Sequence, residues 1–380
     1  MSNPRDPAAL PILQNDFRAQ WAHVREAVLG AVERVGESGW FVLGAEVASF
    51  EKELARVWGL PFCVGCGSGL DAIEIALRCA GLAPGDAVLT TPLSAFATTL
   101  AVIRAGGVPC FVDVDGAGQL DLGLAERALE DHPEIRFLVP VHLYGHALDL
   151  ERLERLRDRF ELRVVEDCAQ AVGARSRGLP VGSVGELAAT SFYPTKNLGC
   201  MGDGGALLTR DPALAERARC LRDYGQTAKY EHDHLGLNSR LDELQAAILR
   251  DALLPQLEAF TRRRREIAER YLGSIRNPGL ELPPTPAGSQ SVWHLFPVLV
   301  SGKRGAFQEH LRRDGIASGV HYPKLIPEQG AFREAGVGRA LSPLPRAEDF
   351  ARREASLPIH PFLSERDVER VVASCNAWRG

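Results

Sequence analysis

The sequence predicts an α/β fold, with a large, mostly parallel sheet domain over residues 1–254 and a smaller C-terminal α+β domain over 255–380. From about residue 60 to 210, short apolar runs alternate with helical patterns, as strands joined by crossover helices do. A long helical pattern from 241 to 273, interrupted near Pro255 and resuming toward Tyr271, reads as the link between two bodies. Beyond the loop Pro283-Pro284-Thr285-Pro286-Ala287-Gly288, a strand-helix-strand pattern resumes at Trp293. With 380 residues, 45% of them hydrophobic, the chain is long enough to build both cores.

The runs, in order, are Phe62-Cys63-Val64, Ala87-Val88-Leu89, Cys110-Phe111-Val112, Phe137-Leu138-Val139-Pro140-Val141, Arg163-Val164-Val165 and Ala206-Leu207-Leu208, each followed by turn residues. Leu162-Arg163-Val164-Val165 leads into Glu166-Asp167, which places a carboxylate at the carboxyl edge of the sheet, where open α/β folds bind ligands. Gly67-Ser68-Gly69-Leu70-Asp71-Ala72 follows the first strand and opens a helix, so it offers backbone N–H groups and the positive end of a dipole to a phosphate.

Composition narrows the function classes. The 44 basic and 49 acidic residues give a net charge of −5, and Arg262-Arg263-Arg264-Arg265 lies in a helical pattern rather than a polybasic tail, which argues against nucleic acid as a partner. Eight cysteines sit in scattered apolar contexts and read as reduced thiols of a cytoplasmic protein. Cys63-Val64-Gly65-Cys66 has zinc-like spacing, yet no second pair or histidine cluster completes a site, so no metal is assigned. Residues 1–7 lack the pattern of a targeting signal, and no run of about 18 apolar residues occurs, so no membrane association is expected.

The chemistry centres on Lys196, in Ser191-Phe192-Tyr193-Pro194-Thr195-Lys196-Asn197, delivered by an apolar run into a turn ending Gly202-Asp203-Gly204-Gly205. One lysine after a strand is ordinarily a solvated charge. A lysine with a remote aspartate at the sheet edge suggests pyridoxal phosphate: Lys196 to hold the aldehyde as a Schiff base, Asp167 to keep the pyridine nitrogen protonated. The Ser191 hydroxyl is placed to reach the same phosphate as the Gly69 turn, and Phe96, after the strand ending at Thr90, can face the ring. Taken singly, a glycine turn, a turn serine and a core phenylalanine carry little, and the argument rests on their conjunction.

Together these motifs resemble the fold-type I, pyridoxal-phosphate-dependent sugar aminotransferases of the DegT/DnrJ/EryC1/StrS group. The resemblance runs from Gly39-Trp40-Phe41-Val42-Leu43-Gly44 through Val141-His142-Leu143-Tyr144-Gly145 and Val165-Glu166-Asp167-Cys168-Ala169-Gln170. It continues through Asn238-Ser239-Arg240-Leu241-Asp242 and His321-Tyr322-Pro323 to Leu357-Pro358-Ile359-His360-Pro361. It implies that Lys196 is the catalytic lysine, Asp167 the partner of the pyridine nitrogen, Gln170 a neighbour of the ring and Phe96 its stacked aromatic. Gly69, Leu70 and Ser191 would hold the phosphate, and Asn238 would reach it from a second subunit, making a homodimer with a shared active site. The implied substrates are L-glutamate and a nucleotide-diphosphate keto sugar.

Within the group, a dehydrating branch carries histidine where Lys196 stands, so lysine indicates amination. Gly69-Leu70-Asp71 and Asp223-Tyr224-Gly225 followed by Lys229-Tyr230 favour members that aminate carbon 3 of a deoxythymidine-diphosphate-linked keto-deoxysugar over those acting at carbon 4. Arg240, His321, Tyr322 and Lys324 are candidate substrate contacts, whereas His294 and His360 read as structural histidines. Ala95, where the group often has Thr, and His146, where Gln is common, depart from the pattern without removing a cofactor anchor. A non-catalytic regulator built on the same fold is the alternative from another class. A nicotinamide dehydrogenase is disfavoured because Gly65-Cys66-Gly67-Ser68-Gly69 has its glycines in the wrong order.

Overall fold

A computed structural model describes residues 11–380, so residues 1–7, read above for a targeting signal, lie outside the described residues. At its centre is an eight-stranded sheet in the order Phe62–Cys66, Gly205–Thr209, Leu187–Ser191, Arg163–Asp167, Phe137–Leu138, Ala87–Thr90, Val108–Phe111, Arg339–Ala340. The 205–209 strand runs antiparallel to both of its neighbours, and every other pairing is parallel, giving the expected α/β architecture. The parallel strands end at one edge, so Asp167, Ser191 and the loop after Thr90 arrive there together.

Two local departures from the apolar runs have plain causes. The run expected over 137–141 is a regular strand only at Phe137–Leu138: Pro140 has no N–H for the ladder, and pairing resumes as an isolated bridge between Val141 and Asp167. The segment around Pro255 stays helical but changes pitch, from the α-helix Glu243–Ile248 through a π turn at Leu249–Leu253 and a 3-10 turn at Leu254–Gln256 into the α-helix Leu257–Ser274. The wider turns absorb the missing donor where a regular helix would kink.

A second, antiparallel sheet orders Leu280–Glu281, Phe296–Val300 and Glu354–Leu357, beneath helices Leu257–Ser274, Arg304–Arg313 and Glu365–Ala377. Their core gathers Tyr271, Phe296, Val298, Phe307, Leu311 and Val371, and Ile12 joins it through a parallel bridge to Ile316. Each such side chain, fully buried, contributes about 1.5–3 kcal/mol. Cys63 and Cys66 point into different clusters on the two faces of the 62–66 strand, so their spacing does not converge. No helix among the described residues is long and apolar enough to cross a membrane.

Candidate active site

The first wall of the site is the start of helix Gly69–Cys79. Ser68 caps it, its hydroxyl accepting the Asp71 N–H at 3.1 Å and its carbonyl the Ala72 N–H at 3.0 Å. The first-turn N–H groups of Gly69 and Leu70 are left at the positive helix end. Glycine at 69 lets this turn lie against Ser191: a Cβ there would sit 2.5 Å from Ser191 Cβ and 3.0 Å from its Oγ. At 205 the requirement is stricter, since a Cβ would fall 2.4 Å from the Ser68 carbonyl. Ser191 Oγ accepts the Tyr193 N–H at 3.2 Å and keeps its own hydrogen to donate, so two backbone N–H groups and a hydroxyl form one anion cradle.

Lys196 rides on a loop closed at its base. The Phe192 N–H reaches the Gly204 carbonyl (2.8 Å), the Cys200 N–H reaches the Phe192 carbonyl (2.7 Å), and the Lys196 N–H reaches the Tyr193 carbonyl (2.8 Å). Asn197 pins the loop outward, its Nδ2 donating to the Val292 carbonyl at 2.9 Å. Burial lowers the Lys196 ammonium to about 8, against the opposing pull of Asp167. A substantial fraction of the amine is therefore free near neutral pH.

Asp167, the last residue of its strand and 4% exposed, accepts the Ala169 N–H at 3.0 Å and the Thr98 hydroxyl at 2.8 Å. Because an ionised carboxylate only accepts, Thr98 has given its hydrogen to Asp167, and Ser94, 2.8 Å away, must donate to Thr98. Sequence reasoning missed both hydroxyls, whose one signal is their spacing of four on either side of Phe96, at the start of helix Phe96–Arg104. Behind Asp167, the buried pair His142 and Glu166 meets at 2.8 Å. With Cys168 it forms the one cluster of metal-ligating type among the described residues. Its ligand atoms are in use, however: Glu166 accepts the N–H groups of Gly182, Val184 and Gly185, and His142 Nδ1 that of Leu148. The cluster braces the strand end that carries Asp167.

Gln170 joins the two halves of the site, its Oε1 accepting the Tyr144 N–H at 2.7 Å and its Nε2 donating to Tyr322 Oη at 3.1 Å. Tyr144 Oη in turn donates to the His321 carbonyl at 2.6 Å. His321 Nδ1 lies 2.8 Å from Ser356 Oγ, whose hydroxyl donates to Glu354, and the His321 N–H reaches the same carboxyl at 2.6 Å. Burial lifts fully buried Glu354 to about 8 and, with the charge of Lys196, lowers His321 to about 4. His294, expected to be structural, stands in this group: its Nδ1 is 3.2 Å from Asn197 Oδ1, and burial together with Lys196, Arg264 and His321 holds it well below the usual histidine range.

Lys196, Asp167, Gln170, His321 and Tyr322 thus form one cluster, and Gly69, Leu70 and Ser191 the cradle beside it. Phe96 is half-buried and packs toward Phe111, Ile326 and Phe332. Asn238 is exposed, bridging only through its backbone to Asp223. Arg240 is held by Asp223 at 2.9 Å and stacks over Tyr224, and Lys324 is exposed, with no contact printed from either to the Lys196 cluster among the described residues.

A nucleophilic lysine, a carboxylate and an anion cradle around one recess match a known chemistry, and the comparisons agree. Residues 23–376 match the DegT/DnrJ/EryC1/StrS aminotransferase family. The chain belongs to that family. It is 43% identical, over 100% of its length and 98% of the relative, to the dTDP-3-amino-3,4,6-trideoxy-alpha-D-glucose transaminase of Streptomyces venezuelae. The crystal structure of S. venezuelae DesV superposes with a TM-score of 0.92 at 43% identity, covering 97% of this chain and 99% of that one. NtdA of Bacillus subtilis, solved with bound cofactor PMP, superposes with a TM-score of 0.88 at 28% identity, covering 98% and 86%. The chain is therefore a pyridoxal-phosphate-dependent sugar aminotransferase. Its residues fit that cofactor, because the cradle between Gly69 and Ser191 is held open by the lack of one Cβ and lies in the same recess as a free amine and a buried carboxylate.

Proposed function

We propose that this aminotransferase moves the amino group of L-glutamate to carbon 3 of a dTDP-linked keto-deoxysugar. The observation that carries the reading is the Lys196 amine, desolvated to about 8 beside Asp167. When bound, pyridoxal phosphate supplies an electron sink and carries the amino group between the two half-reactions. Lys196 holds the cofactor at rest and then, as a free amine, moves the proton between the reacting carbon and the cofactor. Asp167, kept ionised by Thr98 and the Ala169 N–H, holds the proton on the ring nitrogen. The Gly69 and Leu70 N–H groups and Ser191 bind the phosphate, Phe96 covers one ring face, and Gln170 orients the ring edge through Tyr144 and Tyr322.

Carbon 3 is favoured by the likeness to the S. venezuelae transaminase, together with the motifs at 69–71 and 223–230. His321 and Tyr322 face the sugar, with Lys324 and Arg240 at the diphosphate end. A homodimer completes the site, with Asn238 of the partner subunit reaching the phosphate. The exposed apolar residues Trp40, Phe41, Tyr230 and Leu235 support such a contact, Leu235 being 90% exposed in the single chain. Eight unpaired cysteines support a reducing, cytoplasmic setting.

The test supplies the purified, cofactor-loaded protein with glutamate and then with 3-keto and 4-keto nucleotide sugars. Glutamate should bleach the yellow colour, the 3-keto sugar should restore it, and NMR should show nitrogen at carbon 3. Amination at carbon 4 alone would overturn the preferred substrate. A protein that glutamate never bleaches would overturn the donor.

A further inference from the structure

Four successive arginines, 262–265, lie on helix Leu257–Ser274, and the helix turns them to different surroundings. Arg263 pairs with Glu365 at 2.6 Å, and Arg265 donates to the Ser291 carbonyl at 2.8 Å. Arg264 points inward and is 5% exposed. Its Nη1 donates to the carbonyl oxygens of Trp293, His294 and Ile359, and its Nε is buried without a partner. No ion pair to a carboxylate is formed by this guanidinium among the described residues, and burial lowers it to about 10. Carbonyl dipoles offset only part of the cost of burying a cation, and a counter-ion is the usual remedy.

The space beside Arg264 is built for one. The guanidinium lines a polar cavity of about 360 Å³ with Gln14, Asn15, Thr195, His294 and His321, and no acidic residue lines it. Thr195 precedes Lys196, and His294 feels the positive charges of both Lys196 and Arg264, so the recess is cationic and opens next to the reacting amine. His294 and His321 are both kept neutral there, leaving the arginine as the fixed charge on the cavity wall.

We propose that Arg264 is the anchor for a carboxylate of the amino donor. The inference rests on the glutamate-dependent reading above. Chemistry places such a group here: an amino-acid donor carries a carboxylate on the carbon whose proton Lys196 moves, so that anion must lie within a few bonds of the lysine. A planar guanidinium meets a carboxylate with two parallel hydrogen bonds and fixes its orientation as well as its charge. Thr195 and Asn15 add neutral donors at the rim.

The test pairs wild type with Arg264→Gln and Arg264→Lys in the full-length holoenzyme, following the two half-reactions separately by cofactor absorbance. Binding of glutarate, a dicarboxylate with no amine, is measured by calorimetry on the cofactor-free protein. Losing a charge-assisted pair should raise the half-saturating glutamate concentration and weaken glutarate at least about tenfold in Arg264→Gln. Arg264→Lys should fall between, and the keto-sugar half-reaction should stay within about twofold. Unchanged glutamate saturation and glutarate affinity would overturn the assignment, as would a defect confined to the sugar half-reaction, which would give the recess to the diphosphate. If Arg264→Gln does not fold, Arg264→Lys carries both readouts. A wild type that ignores glutamate but binds glutarate through Arg264 sinks the proposed donor while leaving the carboxylate site standing.

Discussion

Replacing Gly69 with alanine would place a carbon 2.5 Å from Ser191 Cβ and 3.1 Å from Ser191 Cα. Carbon atoms pack at about 3.5–4.0 Å, so the helix start and the strand must part by roughly 1 Å. Overpacking of this kind costs about 1–3 kcal/mol of stability. The larger effect falls on the cofactor, because the same movement carries the Gly69 and Leu70 N–H groups away from Ser191. Weakening one charge-assisted hydrogen bond of about 1.5–3 kcal/mol predicts a rise of roughly 10–100-fold in the dissociation constant for pyridoxal phosphate. Fluorescence titration of the cofactor-free protein measures that constant, and urea denaturation measures the stability. Gly273→Ala, in a helix with nothing within 4 Å of the new carbon, should gain about 0.5–1 kcal/mol and serves as the control. Adding Ser191→Gly removes the clashing atoms, so the double variant should be more stable than Gly69→Ala alone. Wild-type cofactor affinity in Gly69→Ala, or a double variant destabilised by the full sum of the single effects, would refute the reasoning.

Other consequences can be checked separately. Lys196→Ala should lose turnover while its circular dichroism and melting temperature stay near wild type; retained turnover would remove the lysine from the chemistry. Since only the unprotonated amine attacks a carbonyl and its value is lowered to about 8, uptake of pyridoxal phosphate by the cofactor-free protein should accelerate through pH 8 and level off above it. A profile flat from pH 6.5 to 9.5 would contradict the desolvated amine. Glu354 is raised from its ordinary value to about 8, so its contribution to stability is full below about pH 4.5 and is lost as pH rises toward 8. The melting temperature of wild type relative to Glu354→Gln should therefore fall steadily across that window, and a constant difference would show that the carboxyl titrates normally. Thr98→Val leaves the buried Asp167 oxygen without its donor and should cost about 1–3 kcal/mol in urea denaturation, with a shift in the cofactor absorbance maximum. Thr98→Ser should restore both, and an unchanged spectrum in Thr98→Val would separate that hydroxyl from the ring nitrogen.

Much of the site was legible because its signals are local. A buried strand ending in Asp167, a glycine turn opening a helix and a lysine after a strand are each short-range patterns, and parallel topology brings them to one edge. What stayed hidden depends on distant pairing. Nothing in Gly205–Thr209 announces that it runs antiparallel to both neighbours, since side-chain alternation carries no direction. Thr98 and Ser94 look like the ordinary polar start of a helix until Asp167 arrives from a strand 69 residues further along. His294 resembles a packed histidine because its neighbours Arg264, Lys196 and His321 are all remote in sequence. Within Arg262–Arg265 the composition is uniform, and only the 100° step of the helix decides which guanidinium turns inward.

The closed base of the lysine loop has a mechanical consequence. Ser191 pairs with Gly205, and the next hydrogen bond, from Phe192 to Gly204, ties a noose whose far side carries Lys196. A noose tightened at a fixed register couples two positions that are otherwise independent: slipping the pairing by one residue would present Thr190 to the Gly69 turn in place of Ser191 and rotate the entire loop to the opposite face. The phosphate hydroxyl and the reacting amine are thus set by a single alignment, and a one-residue insertion anywhere between 192 and 204 should be absorbed by the loop, whereas one inside either strand should disable both at once.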